Sequence, residues 1–162
     1  KSLVARRWAE TRAKKGSIMA HILIVEAPYY AAISEELGLG AIAELDAQGA
    51  TYDRVTVFGV FELPAAIAMA HSGQPGRYDG YLALGCVIRG ETTHYDYVCN
   101  ESARGLMNLS VQHHLAIGYG VVTVENEAQA WARASRDKKN KGKDAAAACL
   151  RMIALRRNFD LT

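Results

Sequence analysis

The chain is predicted to fold as an α/β protein, a three-layer α/β/α sandwich with one four-stranded parallel sheet covered by helices on both faces. Two observations predict it. Short apolar runs alternate with helical patterns four times along the sequence, and the informative polar clusters fall at the carboxyl ends of the apolar runs. Such β-α alternation gives right-handed crossovers and a ligand crevice outside the carboxyl ends of the strands. With 162 residues, half of them apolar, the chain is one domain's worth and buries its own core without staples.

The elements follow in order. Residues 21–27, HILIVEA, read as the first strand and 30–48 as a helix; 52–58, YDRVTVF, read as the second strand and 63–72 as a helix. The third strand is the long apolar run 78–88, followed by a helix over 95–115. IGYGVVTV at 117–124 is the fourth strand, and helical patterns fill 127–136 and 143–157. Between those last two helices, the cationic run Arg136 to Lys143 is punctuated by Asn140 and Gly142 and reads as a mobile loop.

Charge is unevenly spread. Residues 1–18 carry six Lys and Arg against the single acid Glu10, so the remainder is net acidic although the whole chain is +2. Gly16 and Ser17 before Met19 read as a junction, which sets 1–18 apart as a basic extension outside a domain spanning 19–162. Val4 and Trp8 stand one helical turn apart, so this head is the only place where nucleic acid is conceivable as a partner. No apolar run reaches the length of a membrane span. Three cysteines, at 86, 99 and 149, form neither a CxxC pair nor an even set, which points to a reducing, cytoplasmic setting and to no thiolate metal site.

Four clusters carry chemistry. Tyr29 and Tyr30 follow the first strand, where one aromatic can lie over the crevice mouth while another seals the first helix. Phe58-Gly59-Val60-Phe61-Glu62-Leu63-Pro64 follows the second; Phe61 offers an apolar wall, and Glu62 is placed either to accept hydrogen bonds from a polyol or to cap the incoming helix. After the third strand ends in Cys86, Val87 and Ile88 comes Arg89-Gly90-Glu91-Thr92-Thr93-His94, a polar loop entering a helix. Free N–H groups and a positive dipole end there hold phosphate, and an imidazole, which titrates near neutral pH, can move protons beside it. The fourth cluster comprises Tyr119, Arg133, Arg136 and Lys141, cations and an aromatic that equally well serve as solvated surface. His113 and His114 close a helix, and His21 and His71 show no partners in the sequence.

Ile88-Arg89-Gly90-Glu91-Thr92 with His94, Asp96, Asn100 and Glu101 resembles the signature of the 6,7-dimethyl-8-ribityllumazine synthases of riboflavin biosynthesis, and residues 58–64 resemble that family's Pro-Gly-Ala-Phe-Glu-Ile-Pro loop. The resemblance covers about residues 21–159. It implies a flavodoxin-like fold and condensation of 5-amino-6-ribitylamino-2,4(1H,3H)-pyrimidinedione with 3,4-dihydroxy-2-butanone 4-phosphate, without metal or organic cofactor. It assigns Tyr29, Val60, Phe61, Glu62, Cys86, Val87, Ile88 and Tyr119 to the ribityl-pyrimidine, Glu91, Thr92, Arg133 and Lys141 to the phosphate, with Arg136 an alternative, and His94 to catalysis. It further implies that Tyr119, Arg133 and Lys141 reach the pocket from a neighbouring subunit of a homopentamer, a building block of icosahedral shells, with riboflavin synthase as a possible partner. Pro28 and Phe58 depart from the family pattern, and they favour the rival reading of an impaired or engineered scaffold kept for assembly. A generic phosphate-ligand binder of the same fold leaves the paired motifs at Glu62 and His94 without explanation.

Overall fold

The computed structural model describes residues 19–161; the basic segment 1–18, with the nucleic-acid expectation attached to it, lies outside the described residues. Strands β1 (His21–Ala27), β2 (Thr51–Thr56), β3 (Gly80–Ile88) and β4 (Ile117–Val124) form one sheet in the order β2-β1-β3-β4. All pairs are parallel, with Ile22 beside Tyr52 and Gly80, and Tyr81 beside Ile117. β1 and β3 occupy the centre, which is why their sequences are apolar almost without interruption.

Helices α1 (Ala31–Ala47), α2 (Leu63–Gly73), α3 (His94–His113), α4 (Glu127–Ala134) and α5 (Lys141–Asn158) cover the two faces, and a short 3₁₀ turn at Val60–Glu62 leads into α2. On one face Ile22, Ile24, Leu82 and Leu84 pack with Ala41 and Leu45 of α1 and with Ala145, Cys149, Leu150 and Ile153 of α5. On the other, Leu23, Val25, Tyr81 and Ala83 meet Leu63 and Ile67 of α2 and Val98 and Leu106 of α3. Odd and even strand positions thus go to opposite layers, as the two-residue strand period requires.

Two expectations are corrected. β2 stops at Thr56, not at residue 58: Val57 still donates its N–H to the Glu26 carbonyl at 2.8 Å, but β1 then ends and Phe58 stands 85 % exposed. The loop expected over 136–143 is shorter, because α5 starts at Lys141. Asn140 takes a left-handed conformation (φ 45°) and its side chain accepts the Lys143 N–H, a helix cap that Asn supplies and most residues do not.

His21 also differs from its sequence reading, since it has partners. Its Nδ1 lies 2.7 Å from Thr51 Oγ1 and its Nε2 3.1 Å from Asp53 Oδ2, while its ring stacks on Tyr78. Asp53 accepts hydrogen bonds from Tyr78, Arg77 and His21, which together hold its carboxyl down at about 2 against an ordinary 3.8. A carboxylate stabilised in the fold contributes stability that is complete above the unfolded value and is lost as pH falls through the folded one. The urea midpoint of the protein should therefore fall between about pH 4 and pH 2, and Asp53→Asn should flatten that part of the curve; an unchanged slope would show that the cluster contributes nothing.

Candidate active site

The strand order reverses direction between β1 and β3, and a crevice of about 430 Å³ opens there at the strands' carboxyl ends. Its lining joins three of the four sequence clusters: Tyr29 and Tyr30 after β1, residues 58–62 after β2, and Cys86, Val87, Ile88, Gly90, Thr92 and His94 from β3 through the loop into α3. Tyr95 and Val98 complete the wall. These two escaped the sequence reading, although Val98 stands one helical turn beyond His94 on α3, a spacing that places both on one face.

The two tyrosines divide the tasks left open between them. Tyr30 is half-buried against Ile33, Leu37 and Cys86 and seals α1, whereas Tyr29 is 68 % exposed at the crevice with its ring edge-on to Tyr30 at 5.1 Å. Phe61 is exposed beside Val60, which is buried against the ends of the central strands β1 and β3. Glu62 serves locally first: its Oε2 accepts the Gly59 N–H at 3.0 Å, closing the turn into α2, and its carboxylate still borders the crevice. Cys86 is 4 % exposed, and burial pushes its thiol up to about 11, so at neutral pH it is a protonated apolar wall rather than a nucleophile.

The loop between β3 and α3 is short and exposed. A side chain built at Gly90 would meet nothing within 4 Å; in the first turn of α3 the Asp96 N–H already donates to the Thr93 carbonyl at 3.0 Å, whereas the N–H groups of loop residues 90–93 have no acceptor among the described residues. Thr92 Oγ1 accepts the His94 N–H at 3.4 Å. An exposed loop with unpaired N–H donors, a hydroxyl and an imidazole, running into a helix start, is suited to a phosphate-bearing substrate that exchanges protons. Arg89 is engaged elsewhere: its Nε–H donates to Glu125 at 3.0 Å, its Nη2 to Asp96 at 3.2 Å, and its guanidinium lies 4.2 Å from the Tyr95 ring centre.

The fourth cluster stays outside this crevice. Tyr119 sits on the edge strand β4, 45 % exposed, on the face that also carries Val121. Arg133 turns back along α4 and donates to the Gln129 carbonyl at 3.0 Å, and Lys141 pairs with Asp144 at 2.8 Å at the start of α5. Arg136 is committed to Glu36, which accepts both its backbone N–H and its Nε–H at 2.9 and 3.1 Å. Glu91 is exposed on the loop and is not among the lining residues.

Fold and crevice define a parallel α/β sandwich with a small-molecule site at its topological switch point, aromatic and apolar at one end and rich in open N–H donors at the other. A family model described as 6,7-dimethyl-8-ribityllumazine synthase matches residues 19–157. The 6,7-dimethyl-8-ribityllumazine synthase of Bartonella henselae is 58 % identical over 139 residues, 86 % of this chain and 90 % of the relative. That of Bartonella bacilliformis is 55 % identical over 146 residues, 90 % and 96 % of the two chains, and 6,7-dimethyl-8-ribityllumazine synthase 1 of Rhizobium meliloti is 56 % identical over 142 residues, 86 % and 93 %. The chain belongs to the 6,7-dimethyl-8-ribityllumazine synthase family, enzymes of riboflavin biosynthesis. No described helix is long and apolar enough to cross a membrane.

Proposed function

We propose that the crevice condenses 5-amino-6-ribitylamino-2,4(1H,3H)-pyrimidinedione with 3,4-dihydroxy-2-butanone 4-phosphate to give 6,7-dimethyl-8-ribityllumazine. One observation supports this most directly: the aromatic half around Tyr29 and Phe61 and the phosphate half around Thr92 and His94 line a single cavity of about 430 Å³. The pyrimidine lies against Tyr29, Phe61, Val60 and the ends of Cys86, Val87 and Ile88, with its ribityl chain on Glu62. The butanone phosphate sits on the loop at Glu91 and Thr92. The aromatic amine attacks the ketone and one water leaves as the imine forms, phosphate is eliminated, and the ribitylamino nitrogen closes the ring on the remaining carbonyl with loss of a second water, while His94 carries protons. Holding both reactants together supplies much of the rate. Incubating the protein with both substrates and following the fluorescence of the lumazine tests the reading; no product from folded protein would refute it. Nothing in the comparisons favours the alternative of an impaired scaffold, and the crevice keeps its lining around Pro28 and Phe58.

The site is shared between subunits in this proposal. Tyr119, Arg133 and Lys141 belong to the pocket but lie away from the crevice of their own chain, so they complete the crevice of a neighbour. Exposed Tyr97, Met107 and Val111 along α3 supply apolar surface for such a contact. A head-to-tail ring gives every subunit one complete pocket. The homopentamer is the ring proposed, the unit of an icosahedral shell, with riboflavin synthase as partner, and the unpaired Cys86, Cys99 and Cys149 suit the cytoplasm. Arg133 takes the phosphate in preference to Arg136, whose backbone N–H and Nε–H are tied to Glu36. Arg133→Ala should weaken the butanone phosphate by about 2–4 kcal/mol with little effect on the pyrimidine, as for loss of a charge-assisted pair. Mixed rings of His94→Ala and Arg133→Ala chains should regain activity; if they assemble and stay as inactive as the parents, the shared site is wrong.

A further inference from the structure

Building on the proposed reaction, we infer that Arg89 is a positioning residue: it clamps the start of α3 to the ends of β3 and β4 and so sets where the phosphate loop and His94 stand. Arg89 is the first residue beyond β3, and its N–H donates to the carbonyl of Val124, the last residue of β4, at 2.9 Å. From that fixed point the side chain reaches over the loop to Asp96 in the first turn of α3 at 3.2 Å, and to Glu125 at 3.0 Å. The guanidinium meanwhile rests on the Tyr95 ring at 4.2 Å, next to His94. Residues 90–93 are all exposed, and the local side-chain bond closing the loop is the weak one that the His94 N–H donates to Thr92 Oγ1. The loop is thus held at its two ends, and Arg89 is the group that joins them.

The same contacts argue against Arg89 as a phosphate ligand. The Nε–Nη2 edge, which forms the fork that takes an oxyanion, is spent on two carboxylates of its own chain. One cation between Asp96 and Glu125 leaves the group net negative, the wrong sign to attract phosphate.

The two roles predict opposite effects of neutralising Asp96. The experiment titrates inorganic phosphate into the assembled protein by calorimetry and measures steady-state kinetics for both substrates in Arg89→Ala, Arg89→Lys and Asp96→Asn. As a clamp, each change should raise the phosphate Kd and the KM for the butanone phosphate about tenfold and lower kcat, leaving pyrimidine affinity and Tm near those of the parent. Arg89→Lys should not rescue, because one ammonium cannot bridge both carboxylates in this geometry, and the Arg89→Ala, Asp96→Asn double variant should be no worse than Arg89→Ala. Tighter phosphate binding by Asp96→Asn would overturn the clamp, because releasing Arg89 would then have freed a ligand. Unchanged phosphate binding and kinetics in all three variants would overturn it too. Should the parent protein bind phosphate yet form no lumazine, the proposed reaction falls while the phosphate titration still decides the clamp.

Discussion

Gly118→Ala is expected to destabilise the protein by about 3 kcal/mol or more, the upper end of what overpacking costs. A Cβ at Gly118 would lie 2.2 Å from the Ala145 carbonyl oxygen and 2.5 Å from Leu82 Cδ2, and the oxygen belongs to the backbone of α5, which cannot step aside without moving the whole helix. Gly120 offers an internal contrast: its nearest neighbour, at 2.4 Å, is the Leu84 Cδ2 methyl, which can rotate, so Gly120→Ala should cost less. Gly73→Ala, with nothing within 4 Å, should be close to neutral. Urea unfolding of the three variants checks the order, and a Gly118→Ala loss below about 1 kcal/mol would show that α5 is not seated this closely on β4. In the proposed shared site, function depends on this packing through Tyr119, which lies between the two glycines, and through Lys141 on the first turn of α5.

The order of strands and helices was legible because each buried run is long and each helix has its own period, so local pattern and final burial agree. Ends were less legible wherever a distant partner decides them. The apolar pattern runs on through Val57 and Phe58, but β2 can extend only as far as β1 offers a partner. Gly142 reads as a loop breaker. In the fold it is a contact residue, since a Cβ there would lie 2.0 Å from the Leu37 carbonyl oxygen; the turn before it is made by Asn140.

The crevice shows the same division. Tyr29, Val60, Phe61, Glu62, Cys86, Val87, Ile88, Thr92 and His94 converge because each stands at or just after a strand's carboxyl end, which a parallel sheet brings to one rim. Which aromatic faces the crevice, Tyr29 or Tyr30, depends on burial against α1 and was not decidable locally. Arg136 reads as a solvated cation because its acceptor, Glu36, lies 100 residues away in sequence, and of the two acceptors of Arg89 the nearer is Asp96, while Glu125 is 36 residues off. Pairing across such distances leaves no periodic trace.

His94→Ala is expected to lower kcat by about 10²-fold, the low end of what one positioned acid or base contributes, while activity stays above the uncatalysed background. The reason lies in the division of labour in the crevice. In the proposed reaction the aromatic wall and the loop N–H groups hold the two reactants, and the imidazole, although it lines the same crevice, is not needed to bind either, so the advantage of co-binding survives its removal. His94 is exposed on the first turn of α3 and its N–H bond to Thr92 is made by the backbone, so alanine leaves both the helix start and the loop in place. Affinities for the two substrates should therefore change less than threefold or so, placing the loss in the transition state rather than in binding. Added imidazole should restore part of the rate, because the alanine leaves room beside the loop for a diffusible base. A variant with the parent's kcat, or one whose loss appears wholly in KM, would remove His94 from proton transfer and make it a residue that merely begins α3.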